Sequence, residues 1–254
     1  MNGYSIADFV PYDAAAWEGI YAQYLAGTGG FAVTQAGALL VCLVIFYWCR
    51  NTREMTVLWP LLTVLAINWA WLGLVFHGQW HQQLNWAAHY WVVAFVVQAG
   101  LLMVAAVWAL IGQREAPQIG HVSTRKWSVS GLLLLPWVVP PLAGWLIGNR
   151  QNSAWEFVGS APDPTAWFTV LMTLLLLNPT NAAAAGRALY PLLLIIPATS
   201  LGISVAAASV TMATDLLATQ LVCLLSIVLA GILKWHATHA SGQSSHYRNA
   251  RSQA

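Results

Sequence analysis

Charge is what this chain lacks most. Lysine, arginine, aspartate and glutamate together make up 7% of its 254 residues, against about a quarter in an ordinary soluble domain. So few charges cannot cover a water-facing surface, and 59% of the residues are hydrophobic. The apolar residues gather in blocks near the roughly 20 residues that cross a hydrocarbon layer, so the expected solvent is the lipid bilayer. Cysteine is almost as scarce. Cys42, Cys49 and Cys223 lie in apolar blocks with no C-x-x-C spacing, which excludes a disulfide framework and a thiolate metal knuckle. No Lys, Arg, Asp, Glu or His falls in the middle of any block, against the pattern of proton pumps, proton-coupled transporters and voltage sensors. A P-loop, a G-x-S-x-G elbow, a C-x-x-C-H haem site, a dinucleotide fingerprint and a central Schiff-base lysine are all missing, so no cofactor is expected on motif grounds. The first 30 residues contain Asp8, Asp13 and Glu18 but no Lys or Arg. They lack the basic start of a cleavable signal peptide and are expected to stay in the mature protein.

Seven apolar blocks are present, at 31–49, 56–76, 89–112, 128–148, 164–178, 188–210 and 215–235. A spanning segment must satisfy its own backbone hydrogen bonds, and short alternating barrel strands are absent, so each block reads as a helix. The fold class expected is all-α: a polytopic membrane helix bundle of seven transmembrane helices. Its three regions are an N-terminal interfacial amphipathic helix within 1–30, a transmembrane domain over 31–235 and a solvated, disordered tail over 236–254. The interfacial helix is suggested by Phe9, Tyr12, Trp17, Ile20, Tyr21 and Tyr24 at helical spacing, ahead of a break at Gly27–Gly30. The fifth block, between Pro164 and Asn178, holds about 14 residues and would reach only about 21 Å of a roughly 30 Å core. Either it borrows the alanine run 182–185 or it starts below the surface. In the second case the connector before it dips into the membrane, which is tolerated only where protein or a wet cavity covers its backbone.

Arg50, Arg53, Arg114, Arg125, Lys126, Arg187, Lys234, Arg248 and Arg251 fall on one side of the seven-span layout, and Arg150 alone on the other. By the positive-inside rule the N-terminus is outside and the C-terminus cytoplasmic. Most of the 15 tryptophans, among them Trp48, Trp86, Trp91, Trp127, Trp145, Trp155, Trp167 and Trp235, lie near block ends, where indoles prefer the headgroup level. Asn68, Trp69 and Trp71 lie deeper and could line a pocket.

Two constellations could carry chemistry. His77 and His81 stand at i and i+4 in the connector after block two, with His89 following. Imidazoles so spaced on a helix share a face and could hold Zn or Cu, but the connector offers no cysteine and no H-E-x-x-H glutamate. The outer acids Asp13, Glu18, Glu156, Asp163 and Asp215 could converge on a cation or act as acid and base. Asp163 and Asp215 are better read as caps of the helices that follow them. Arg150, facing acids and no other cation, is expected to pair with Glu156, Asp13 or Glu18.

Tyr12-Asp-Ala-Ala-Ala-Trp17, Trp69-Ala-Trp71-Leu-Gly73 running to His77, Pro164-Thr165-Ala-Trp-Phe168-Thr169, and Ile196-Pro197 followed by Gly202 and Asp215 resemble an uncharacterised bacterial family of integral membrane proteins, known only as a domain of unknown function. The resemblance runs through nearly the whole chain and implies a one-domain bacterial membrane protein; the inner membrane is the location expected of such a helix bundle. It marks Tyr12, Trp17, His77, Pro164, Thr165 and Asp215 as family-type positions, implies no activity, and does not include His81 or His89. The leading functional expectation is a non-enzymatic binding or transport component, or an accessory subunit of a membrane complex, with an outward-facing polar pocket. Its partners would be the bilayer and other membrane subunits, with no nucleic acid. The alternative is a membrane-embedded enzyme acting on a lipid-like or isoprenoid substrate through Asp13, Glu18 or Asp215.

Overall fold

The computed structural model describes residues 14–49, 58–111, 126–146, 156–176, 184–211 and 214–251. Among them are seven α-helices: α1 (Ala14–Cys49), α2 (Leu58–Trp71), α3 (Ala88–Ile111), α4 (Lys126–Leu146), α5 (Pro162–Leu176), α6 (Ala184–Thr211) and α7 (Thr214–Arg251). A π turn, Leu72–Trp80, and a 3-10 turn, His81–Gln83, extend α2. Five stretches are long and apolar enough to cross a membrane: Ala15–Ile45, Leu58–Gln83, Ala88–Ile111, Ala188–Ala207 and Leu217–Trp235. The protein is an all-α, membrane-embedded helix bundle. Gly131–Leu146 is a shorter apolar helix, interrupted by Pro136, Pro140 and Pro141.

The centre of the bundle is α5. It packs against α6, α4, α7 and α2, and from Pro162 to Thr173 every residue except Asp163 is buried. A helix apolar on every side belongs inside a bundle, and this one need not reach either surface. The connector before it, 156–161, is itself enclosed: Val158, Ser160 and Ala161 are buried. The short fifth block therefore starts below the protein surface, and protein covers the backbone that leads into it.

Three expectations are corrected. Gly27–Gly30 is no break, because α1 runs unbroken from Ala14 to Cys49 and there is no separate interfacial helix within the described residues. The glycine stretch is held from both sides by Trp71, whose Nε1 donates to Tyr24 Oη at 3.2 Å and whose ring lies 3.8 Å from that of Phe31. Gly27 itself packs on Trp80. The tail is not irregular either, since the backbone of α7 is helical to Arg251. Extending a formed helix avoids the nucleation step, and the tail contains no proline to stop it. Trp167, expected at a headgroup level, is instead buried in α5, donating from Nε1 to Ser226 Oγ of α7 at 2.8 Å. Trp86, Trp145 and Trp235 are exposed, as interfacial indoles should be; the side chains of Trp48, Trp127 and Trp155 lie outside the described residues.

Two polar side chains stitch the bundle where helix geometry requires it. Pro197 inside α6 has no N–H, so the carbonyl four residues back, Leu193 O, loses its helical donor. Gln98 of α3, fully buried, supplies the missing donor from Nε2 at 3.2 Å. Trp69 of α2 donates from Nε1 to Thr169 Oγ1 of α5 at 2.9 Å.

Candidate functional site

The π turn positions the histidines. Its i→i+5 bonding widens the helix while residues four apart stay on one face. The turn closes where the His81 N–H is shared between Phe76 O and His77 O. Glycine makes room for it: a Cβ on Gly73 would stand 2.9 Å from Phe95 Cβ and 3.3 Å from Val92 O, so α3 approaches the turn more closely than any side chain allows. On the face so formed, His77 and His81 are both buried, with Nδ1 atoms 2.9 Å apart. Such a bond needs complementary imidazoles, one carrying its proton on Nδ1 and the other offering a lone pair there. His77 Nε2 is buried without a hydrogen-bond partner.

Aromatic rings wall the pair. Phe95 and Trp91 of α3 lie 4.5 Å and 6.1 Å from the His77 ring. Trp17 of α1 stands edge-on to His81 at 5.3 Å. Phe76, between the two histidines, is packed in turn by Trp17, Tyr21 and Tyr24 at 5.6, 6.2 and 5.2 Å. Three α1 residues expected to form a membrane-surface face thus turn inward.

A second polar layer adjoins through Tyr21, whose Oη donates to Ser160 Oγ at 3.4 Å. Ser160 folds the connector on itself, accepting from Phe157 N at 2.9 Å and donating to Phe157 O at 2.8 Å. At the tip, Gly159 has φ 90°, and its N–H donates to Thr165 Oγ1 at 2.8 Å. Thr165 passes its own proton to Ala161 O at 2.7 Å. Gly159 is pressed against Asn68 of α2, and a Cβ there would lie 2.7 Å from Asn68 Oδ1. Asn68 donates from Nδ2 to Val64 O at 3.0 Å, while its buried Oδ1 has no hydrogen-bond partner.

The expected residues divide accordingly. Trp17, His77 and His81 meet directly; Trp71 joins through Tyr24 and Phe76, and Thr165 and Asn68 through the Gly159 connector. His89 does not join them. It is exposed at the start of α3 with Nδ1 2.7 Å from Trp86 O, because the chain turns at Asn85 before it. Two imidazoles fall short of the three or four protein ligands of a zinc site, and among the described residues no group of three His, Cys, Asp or Glu side chains gathers. Glu18 and Glu156 are half-buried and engaged. Asp163 is not a cap: α5 begins at Pro162, and the carboxylate accepts from Ser204 of α6 and from Gln220 Nε2 of α7, the latter at 3.3 Å. Asp215 lies in the first turn of α7, with its side chain outside the described residues, as are Tyr12, Asp13 and Arg150.

No family model, curated protein or solved structure matches this chain. Its own geometry is therefore the ground for a functional reading.

Tyr21, Phe76, Phe95, Ser160, Gln98, Ser204 and Gln220 were missed as site or framework residues. Only Gln98 and Gln220 carried a sequence signal, as amides within otherwise apolar blocks, where an unpaired polar group is costly.

Proposed function

We propose that this chain is a multi-pass protein of the bacterial inner membrane that crosses seven times, with its N-terminus outside. In this reading it serves as a non-enzymatic binding component, or as an accessory subunit of a membrane complex. The outward end of the bundle, where α1 starts and α2 meets α3, holds the polar group of its ligand. The observation that carries the reading is the buried His77–His81 pair, joined through Nδ1, walled by aromatic rings, and leaving His77 Nε2 without a partner. Buried unpaired polar atoms are rare in native proteins, and a polar atom amid aromatic walls is the ordinary makeup of a small-ligand site. The enzyme alternative draws on Asp13, Glu18 or Asp215. Glu18 has contacts of its own, and the side chains of Asp13 and Asp215 lie outside the described residues.

Native mass spectrometry of the gently purified protein tests the reading. The expected result is a co-purifying small ligand, lost from His77→Ala and His81→Ala variants that keep wild-type helicity. Identical bound species in both variants and the wild type would refute the site. Zn or Cu recovered in stoichiometric amount and lost from both variants would identify the ligand as a metal ion.

A further inference from the structure

On the α5–α6–α7 side of the bundle, apart from the histidines, sits the carboxyl group of Asp163. Asp163 Oδ2 accepts from Ser204 Oγ and from Gln220 Nε2. Gln220 Nε2 is shared with Ser204 Oγ at 3.0 Å. Both partners of Asp163 are neutral side chains, and no lysine, arginine or histidine pairs with it among the described residues. A second observation concerns Gln220 itself. It is 3% exposed, and its amide oxygen, Oε1, has no partner. That oxygen shares one planar amide with the nitrogen that touches both Asp163 and Ser204, so it lies beside the cluster, and a half-turn of the amide brings it to face the other two oxygens.

In its ionised form a carboxyl group among packed helices needs a compensating charge. Two neutral hydrogen bonds and the positive end of α5 supply only part of it. We propose that Asp163, Ser204 and Gln220 form a binding site for a small monovalent metal cation, sodium being the representative ion. Carboxylate, hydroxyl and amide oxygens are the donors that hard cations select. The single negative charge argues for one positive charge, since divalent sites usually recruit several carboxylates. Three helices contribute one donor each, so an ion here would clamp α6 and α7 onto the head of α5.

The test is thermal unfolding of the purified full-length protein, followed by tryptophan fluorescence, in sodium, potassium or choline chloride at fixed pH and total salt. An ion that binds only the folded state raises the Tm with its concentration. The expected result is a saturating rise in sodium alone, abolished in Asp163→Asn. The same Tm in all three salts, or an undiminished sodium response in Asp163→Asn, would overturn the proposal. Should Asp163→Asn not fold, equilibrium binding of radioactive sodium to the wild type and to Gln220→Leu decides. The proposal expects saturable binding in the wild type, weakened about tenfold or more in the variant. No saturable binding, or equal affinity in both, would refute it.

Discussion

Gly159→Ala is the sharpest single perturbation of the framework beneath the candidate site. Gly159 has φ 90°, where an L side chain is strained, and that strain alone costs on the order of 1–3 kcal/mol. The new methyl also has nowhere to go: its carbon would stand 2.7 Å from Asn68 Oδ1, 3.3 Å from Asn68 Cγ and 3.5 Å from Ala36 N. Overpacking of this kind adds about 1–3 kcal/mol. The expected destabilisation is therefore about 2–6 kcal/mol, measured by reversible unfolding in mixed micelles. The two parts can be separated. Asn68→Ala removes the obstructing oxygen without touching the backbone, so the double variant should recover the steric part and keep the torsional part. The pair would then be non-additive by about 1–3 kcal/mol, as contacting residues are. A change below about 0.5 kcal/mol for Gly159→Ala, or strict additivity with Asn68→Ala, would refute the wedge between the connector and α2.

Gln98→Leu should lower stability by about 1–2 kcal/mol, because it strands the Leu193 carbonyl that Pro197 leaves without a donor. Pro197→Ala in the same chain should restore much of the loss by returning a backbone N–H, and a double variant no better than Gln98→Leu would refute the assignment. Thr169→Val should destabilise by about 1–3 kcal/mol, since it leaves the Trp69 indole N–H buried without its acceptor; the combination with Trp69→Phe should be milder than the sum, and additivity would count against the bond. On topology, cysteines introduced at Gln82 and Thr52 should be labelled from outside and from the cytoplasm respectively. Labelling of both from one side would sink the seven-span orientation.

Helix positions were largely legible because an apolar block bounded by charge is a direct physical requirement of crossing lipid. The blocks at 56–76, 89–112, 128–148, 164–178, 188–210 and 215–235 each coincide with a helix, to within a few residues at most ends. For α5 the short length left two options, an extension through 182–185 or a buried start, and the burial of Val158, Ser160 and Ala161 favours the second. What could not be read was inward packing that depends on partners distant in sequence. Trp17, Tyr21 and Tyr24 have the spacing of a surface-lying amphipathic helix, and only Phe76 and Trp71, more than 45 residues away, show that the aromatic face points into protein. The i, i+4 spacing revealed that His77 and His81 share a face. It could not reveal the π turn, which depends on the close approach of α3 at Gly73, nor that the chain reverses at Asn85 and carries His89 away.

The polar contacts inside the bundle are of two kinds, and the difference bears on where ligands belong. Indole–hydroxyl contacts leave little over. Trp69 gives its one proton to Thr169, which gives its own to Thr165 O; Trp167 gives to Ser226, which gives to Cys223 O. An indole has no acceptor, and each hydroxyl both accepts and donates, so such pairs serve as interhelical glue. Amides behave differently. Asn68, Gln98 and Gln220 each use the nitrogen and leave the oxygen without a partner. Asn68 Oδ1 lies against the Gly159 backbone, which partly occupies the space an ion or water would need. Gln98 is bound to a backbone carbonyl, a neutral partner. Only Gln220 sets its amide against a carboxyl group, with the nitrogen facing Asp163 and the oxygen unused. Burying that combination for packing alone would be unfavourable, because a leucine could fill the volume at no electrostatic cost. The same physics that makes the indole pairs good structural contacts therefore makes the Asp163–Ser204–Gln220 cluster a poor one until a cation enters it.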